Sequence, residues 1–338
     1  MQGAELSAAP DESVPQPESD FVPDWSGRCQ LLSLDGGGIR GLFSAAILAK
    51  LEEDTKTEIT RHFDLVAGTS TGGIIAIGLG LGLSPRQIVE FYVEHGPRIF
   101  RNPLGLRGLL RPLWPKFGPA ALREALRSTF GERPLGASRK RLVVPSYNLG
   151  EHDVYIFKTA HHPRLRRDYR LPAWQAAMAT SAAPTYFPAF GGIDGQRLVD
   201  GAVWANNPTM VAVVEAASML GARLDDIRVF SIGTTTAVSK TPRGLDTAGL
   251  VAWARPVSDL FLRGQSLAAH KQARHLLGGE RVLRIDPPVA EGELALGAAS
   301  SPARAPRAGS PRSTGGPTGS RRSWCGRAVS LLGAVAST

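Results

Sequence analysis

Cysteine is scarce in this chain of 338 residues: Cys29 and Cys325 stand far apart and in unlike contexts. Two such residues make neither a disulfide framework nor a zinc site, and they fit a reducing compartment. Long hydrophobic runs are missing too. No stretch approaches the ~20 apolar residues of a membrane span, and the apolar run from Ile74 to Leu83 is short and rich in glycine. The acidic, proline-rich start lacks the basic residues and apolar core of a secretory signal. No G-x-x-x-x-G-K-[ST] loop occurs, which excludes a Walker-type phosphate site, and no calcium loop of EF-hand pattern occurs. These absences predict a soluble, cytoplasmic protein able to touch a membrane from that side.

Acidic residues are in deficit, giving a net charge of +9. The excess is not a nucleic-acid footprint, because its distribution is uneven. Residues 1–27 carry Glu5, Asp11, Glu12, Glu18, Asp20 and Asp24 and no Lys or Arg, whereas 301–338 carry Arg304, Arg307, Arg312, Arg321, Arg322 and Arg327 and no acid. The ends nearly cancel. Much of the remaining excess lies between Arg98 and Arg170, where a basic surface attracts phosphate-bearing partners or is simply a solvated face. No DNA or RNA partner is expected, and nothing in the sequence indicates an oligomeric state.

Three regions follow from composition. Residues 1–27 read as a disordered acidic leader, since they cannot bury enough apolar surface to offset ordering entropy. Residues 28–290 read as one catalytic domain. Residues 291–338 lose hydrophobic periodicity and read as a low-complexity tail; their Arg, Ala, Gly, Pro and Ser bias matches a frameshifted reading of a GC-rich gene. Within the domain, apolar runs predict strands at 30–34, 63–67, 141–148, 153–159, 197–199, 228–234 and 282–285. Helical spacing predicts helices at 42–53, 74–83, 85–94, 120–130, 172–180, 208–220 and 256–277. Strands alternating with helices predict a mainly parallel sheet covered on both faces.

Two glycine-rich turns carry the chemistry. Asp35-Gly36-Gly37-Gly38-Ile39-Arg40-Gly41 lies between a strand and a helix. Glycines let successive amides point into one space, and the helix adds its positive end, so the turn suits a phosphate or the oxyanion of acyl transfer. Gly36-x-Gly38-x-x-Gly41 also matches dinucleotide-binding spacing, but the second strand ends in Gly68-Thr69-Ser70 where that fold requires a ribose-binding acid. The second turn, Gly68-Thr69-Ser70-Thr71-Gly72, is a G-x-S-x-G sequence between strand and helix, the setting of a nucleophile elbow.

Serine needs a base. The candidates are seven histidines (His62, His95, His152, His161, His162, His270 and His275) and Asp200 in Asp200-Gly201-Ala202, a pair that is otherwise a common turn. None of the histidines follows a late strand; His161-His162-Pro163 reads as a basic loop. A Ser–His–Asp triad of the general α/β-hydrolase kind and a non-catalytic nucleotide-binding protein remain the alternatives.

Together the three pieces, with Ser181-Ala182-Ala183-Pro184 and Asn206-Asn207-Pro208, resemble the signature of patatin-like phospholipases over about Cys29 to Ile285. The resemblance implies a three-layer α/β/α patatin-like fold with a mainly parallel central sheet, and hydrolysis of fatty acyl esters of membrane phospholipids by a Ser–Asp dyad. It assigns Ser70 as nucleophile, Asp200 as base, and Gly36, Gly37, Gly38 and Arg40 to the oxyanion region, supported by Gly41, Gly68, Gly72 and Gly201. The reaction so drawn uses no metal and no cofactor. The chain is similar in particular to bacterial patatin-like lipases, some of which are anti-phage effectors switched on by cyclic nucleotides; that implies a cyclic-dinucleotide activator. Residues 100–119 interleave Arg101, Arg107, Arg111 and Lys116 with leucines and Trp114, a pattern that suits peripheral membrane contact or a packed surface excursion.

Overall fold

A computed structural model of the chain describes residues 27–100, 115–237, 243–247, 249–253 and 256–289. The expected leader (apart from Gly27), the tail and most of the 100–119 segment lie outside these residues.

The order of elements is β1 (Cys29–Leu34), α1 (Gly41–Thr55), β2 (Leu65–Gly68), α2 (Thr71–Gly80), α3 (Pro85–Ile99), α4 (Pro119–Phe130), β3 (Arg141–Asn148), β4 (Asp153–Lys158), α5 (Ala173–Thr180), β5 (Leu198–Asp200), α6 (Ala202–Ala205), α7 (Thr209–Ser218), β6 (Ile227–Ile232), β7 (Thr236–Ala237), α8 (Leu250–Trp253), α9 (Pro256–Leu277), β8 (Val282–Ile285) and β9 (Pro288–Val289). The main sheet runs β4-β3-β2-β1-β6-β8, with β5 paired to β3; β7 and β9 pair separately. Pairings among β3, β2, β1, β6 and β8 are parallel, whereas β4 and β5 run antiparallel to β3.

Successive residues of the central strands feed opposite cores. Leu32, Leu34, Val66 and Val144 pack with α1, α2 and α5, while Leu31, Leu65, Ala67 and Val143 pack with α7 and α9. Both faces are therefore covered, which is why these strands read as continuous apolar runs rather than alternating ones. The chain leaves β1 for β2 and β3 on one side and returns to β6 and β8 on the other. Reversal at β1 opens a crevice at the carboxyl ends of the strands, where the two glycine-rich turns emerge.

Boundaries moved where local chemistry overrode periodicity. The predicted helix at 74–83 starts earlier, at Thr71, because the chain turns directly from β2 into it. It ends in a Schellman motif: Gly82 has φ +88°, its N–H donates to Leu79 O at 3.0 Å, and Leu83 N–H donates to Gly78 O at 2.9 Å. Ser84 caps α3 with a reciprocal Gln87 bond and Pro85 at the first helical position. That helix continues past the predicted end at residue 94, through Pro97, because Ile99 and Phe100 are anchored in the core.

Two described residues of the 100–119 segment pack into the core. Phe100 and Phe117 are buried, with ring centroids 5.7 Å apart, and Phe117 also lies 5.5 Å from the Phe187 ring. These aromatics belong to the core. Residues 101–114, Arg101, Arg107, Arg111 and Trp114 included, lie outside the described residues.

Candidate active site

Ser70 sits at the bend between β2 and α2 with φ 56° and ψ −124°, a region costly for a residue with a Cβ. The bend exists because its glycines permit it. A Cβ on Gly68 would lie 2.1 Å from Gly72 O, and one on Gly72 would lie 2.2 Å from Leu34 O. The Ser70 amide donates to Thr180 Oγ1 at 3.0 Å, and that hydroxyl donates in turn to Pro145 O at 2.6 Å. Thr180, fully buried at the end of α5, thus clamps the elbow to β3.

Asp200 is the last residue of β5 and is 1% exposed. Its carboxylate accepts the Ala202 amide at 2.8 Å, and the Ser70 side chain lies close enough to lower its pKa. Burial pushes the carboxyl up to about 7; the bonds from Ser70 and Ala202 resist that rise. Its own amide donates to Ala182 O at 3.1 Å. Gly201 follows because a Cβ there would lie 2.3 Å from Pro145 O.

The first glycine turn lies against the elbow: a Cβ on Gly36 would lie 3.2 Å from Ser70 Cβ. Its amides are not equivalent. Gly36 N–H is committed to Asn206 O at 3.0 Å, while its carbonyl accepts Thr234 Oγ1 at 3.0 Å. Gly37 and Gly38 N–H groups donate to no protein group among the described residues, so they are the donors available to an anion. The Arg40 guanidinium donates to Thr235 O at 3.0 Å and Gly37 O at 3.4 Å, which ties it to the turn's own backbone. Gly41 packs on Thr71.

Behind the turn lies a buried polar network that sequence reasoning missed. Arg284 on β8 grips Asp35 with both nitrogens, at 3.1 and 2.6 Å, and also reaches Asp286 at 2.9 Å and Ser231 at 2.7 Å. Burial raises the Asp35 carboxyl above its ordinary range and the guanidinium pulls it back. Ser266 on α9 bonds Asp35 and accepts Asn206 Nδ2 at 2.9 Å. The one signal for this network was an acid at the head of the glycine turn.

None of the seven histidines hydrogen-bonds to Ser70 or Asp200. His161, read from sequence as part of a basic loop, is buried instead. Its ring lies between Thr159 Oγ1 and Glu215, 2.9 Å from each, with Lys158 on the other Glu215 oxygen at 2.6 Å. Burial lowers its pKa against the pull of Glu215. Among the described residues no three His, Cys, Asp or Glu side chains converge on a metal position, and no helix is long and apolar enough to cross a membrane.

An acidic hydroxyl acceptor, a serine on a strained elbow and two free amides can together drive nucleophilic acyl transfer. The comparisons agree in kind. The model of a family described as "Patatin-like phospholipase" matches residues 32–213. A cGAMP-activated phospholipase of Pseudomonas aeruginosa is 36% identical over 257 residues, covering 73% of this chain and 75% of that one. One from Escherichia coli is 35% identical over 223 residues, covering 61% and 62%. Patatin-like protein 1 of Arabidopsis thaliana is 30% identical over 313 residues, covering 78% and 75%. Among solved structures, VipD from Legionella pneumophila aligns with TM-score 0.38 and 12% identity over 72% of this chain and 57% of that one.

Proposed function

The chain belongs to the patatin-like phospholipase family, and we propose that it hydrolyses fatty acyl esters of membrane phospholipids through Ser70 and Asp200. The observation that carries this reading is the Ser70 side chain set against the buried Asp200 carboxyl, whose pKa it lowers, with no histidine hydrogen-bonded to either. As Ser70 Oγ attacks the ester carbonyl, its proton passes to Asp200. The tetrahedral oxyanion is held by the Gly37 and Gly38 amides, each worth about 3–4 kcal/mol in comparable sites. Collapse breaks the ester bond, and protonated Asp200 returns its proton to the leaving alcohol. Water, deprotonated by Asp200, then attacks the acyl-enzyme and releases the fatty acid and Ser70. Gly36 and Arg40 act as positioning residues: one pins the turn to Asn206, the other to Thr235.

An Asp at its ordinary pKa of about 3.9 is a weak base; one raised to about 7 is matched to neutral pH. Membrane contact is supported by Val203, Leu260 and Phe261, which are 43%, 53% and 62% exposed. Val203 lies three residues after the dyad acid, and its carbonyl accepts Gln265 of α9 at 2.8 Å. Activation by a cyclic dinucleotide, and with it a role in defence signalling at the cytoplasmic membrane surface, is supported by the names of the bacterial relatives.

Fatty acid release from phospholipid vesicles, followed by mass spectrometry with and without cGAMP, tests the reading. Ser70→Ala and Asp200→Asn should each abolish release, by about 10⁴-fold or more. Full activity in Asp200→Asn would overturn the dyad, and equal activity with and without any cyclic dinucleotide would overturn the activator.

A further inference from the structure

A cavity of about 460 Å³ opens between α4, α5 and residues 187–192, within the size range of ligand sites. Neither Ser70 nor Asp200 lines it. Leu122, Met178, Phe187 and Phe190 give it a buried apolar floor. Its rim is polar and carries positive charge. Arg123 and Arg127, both exposed, stand four residues apart on α4 and so share one face of that helix. Trp174 and Gln175 line it from the start of α5, and Gly191 and Gly192 from the third segment.

Several of these groups are unspent. Among the described residues Arg123 makes no ion pair, the Gln175 carboxamide makes no hydrogen bond, and the Gly191 and Gly192 N–H groups donate to no protein group. Arg127 and Trp174 share one acid. Arg127 donates to Glu132 Oε1 at 2.9 and 2.5 Å, and the indole N–H donates to Glu132 Oε2 at 3.1 Å. The guanidinium lies 5.2 Å from the centre of the indole ring. Both partners of the Arg127–Glu132 pair are more than half exposed, so water screens the pair and an incoming anion can exchange for Glu132.

The cavity lies between the two segments that hold the dyad. On one side α5 ends in Thr180, which accepts the Ser70 amide, and Ala182 O just beyond it accepts the Asp200 amide. On the other side Phe190 exchanges two backbone bonds with Leu198, at 2.8 and 2.9 Å, and Leu198 starts the strand that ends at Asp200. A ligand that bridges these walls fixes their separation, and with it the relation of Ser70 to Asp200.

We propose that this cavity is the site of the cyclic-dinucleotide activator, which sets the dyad by fixing α5 against residues 187–192. The inference rests on the activator reading above and adds its location. The chemistry matches part by part. Guanidiniums hold phosphodiester oxygens by charge-assisted bonds, and the paired glycines leave their amides open to the same anion. The indole offers a stacking face to a base, and a carboxamide with both a donor and an acceptor suits a base edge. On binding, a phosphate takes Arg127 from Glu132.

The test is calorimetric titration of the full chain with cGAMP, cyclic di-GMP and cyclic di-AMP, paired with fatty acid release from phospholipid vesicles. Glycerophosphocholine is the control for a lipid headgroup, and melting temperature is recorded for each variant. At least one cyclic dinucleotide should bind, and glycerophosphocholine should not displace it. Arg123→Ala and Arg127→Ala, both at exposed positions, should each weaken binding by about tenfold or more. Trp174→Leu, which keeps apolar bulk and removes the stacking face, should do the same. The half-activating concentration should shift by the same factor in each, with full release regained at saturation. Glu132→Gln should strengthen binding by about two- to fivefold. Parental affinity in all three weakened variants would overturn the cavity as the site and leave the activator reading standing. Displacement by glycerophosphocholine would make it a headgroup site and overturn the proposal. Neither binding nor stimulation of the parent chain by any of the three nucleotides would overturn the activator reading and the proposal together, and Ser70-dependent release would still keep the dyad.

Discussion

The side chain of Ser70 lies against the carboxyl of Asp200 and lowers its pKa, and the two are held in that relation by residues adjacent in the chain, Thr180 and Ala182 flanking Ser181. The nucleophile and its acceptor come from strands of opposite direction relative to β3. Their meeting depends on α5 reaching both.

Asp200 makes activity and stability pull in opposite directions. Its carboxyl is raised from 3.8 to about 7 by burial. The base acts when ionised, so kcat/KM should rise with pH through about 7. For stability the sign is reversed: between about pH 4 and 7 the folded state binds a proton that the unfolded state does not, so the contribution of Asp200 falls as pH rises. Asp200→Asn should therefore be inactive yet melt higher than the parent at pH 8, with the gain shrinking at pH 5 and vanishing below about pH 4. Urea melts across that pH range measure it; a gain independent of pH would contradict the burial of the ionised form.

Thr180 acts on Ser70 through the backbone. Thr180→Val removes an acceptor for the Ser70 amide and a donor for Pro145 O while keeping shape. The expected cost is about 1–3 kcal/mol in stability, with kcat reduced more than KM as the elbow loosens. Thr180→Ser should restore both. Equal loss of activity in Thr180→Ser would show that the methyl, not the hydroxyl, matters.

Arg284 neutralises the acid at the head of the glycine turn. Arg284→Met leaves Asp35 buried and unpaired, which should cost about 3–5 kcal/mol. The Asp35 carboxyl should then rise further, so the loss should be greatest at high pH. Adding Asp35→Asn should recover much of it. A double-mutant cycle by chemical denaturation gives the coupling; additive losses would exclude the pairing as a stabilising contact.

The two glycine-rich turns and several element bounds were legible locally. The elbow and the glycine turn announce themselves because steric exclusion leaves only one residue type: a side chain at 68 or 72 would strike the backbone at 2.1–2.2 Å. The strands β3 and β8 and helix α9 keep the bounds that their apolar patterns predicted. His161 lies in an irregular segment as read, but the burial of its ring was not legible, since its partner Glu215 is 54 residues away. Nor did local pattern show that the Phe100 ring would meet Phe117, and Phe117 in turn Phe187.

The amino-acid sequence alone determined that a serine would stand on a strained turn, that a glycine-rich turn would precede it and that an acid would follow a late strand, because each of these depends on short-range sterics. Packing decided everything that joins them. Arg284 meets Asp35 across 249 residues, Thr180 meets Ser70 across 110, and Gly36 spends its amide on Asn206 while Gly37 and Gly38 keep theirs. Local pattern carries no record of such partners; they are selected when burial makes an unsatisfied polar group too costly to leave alone.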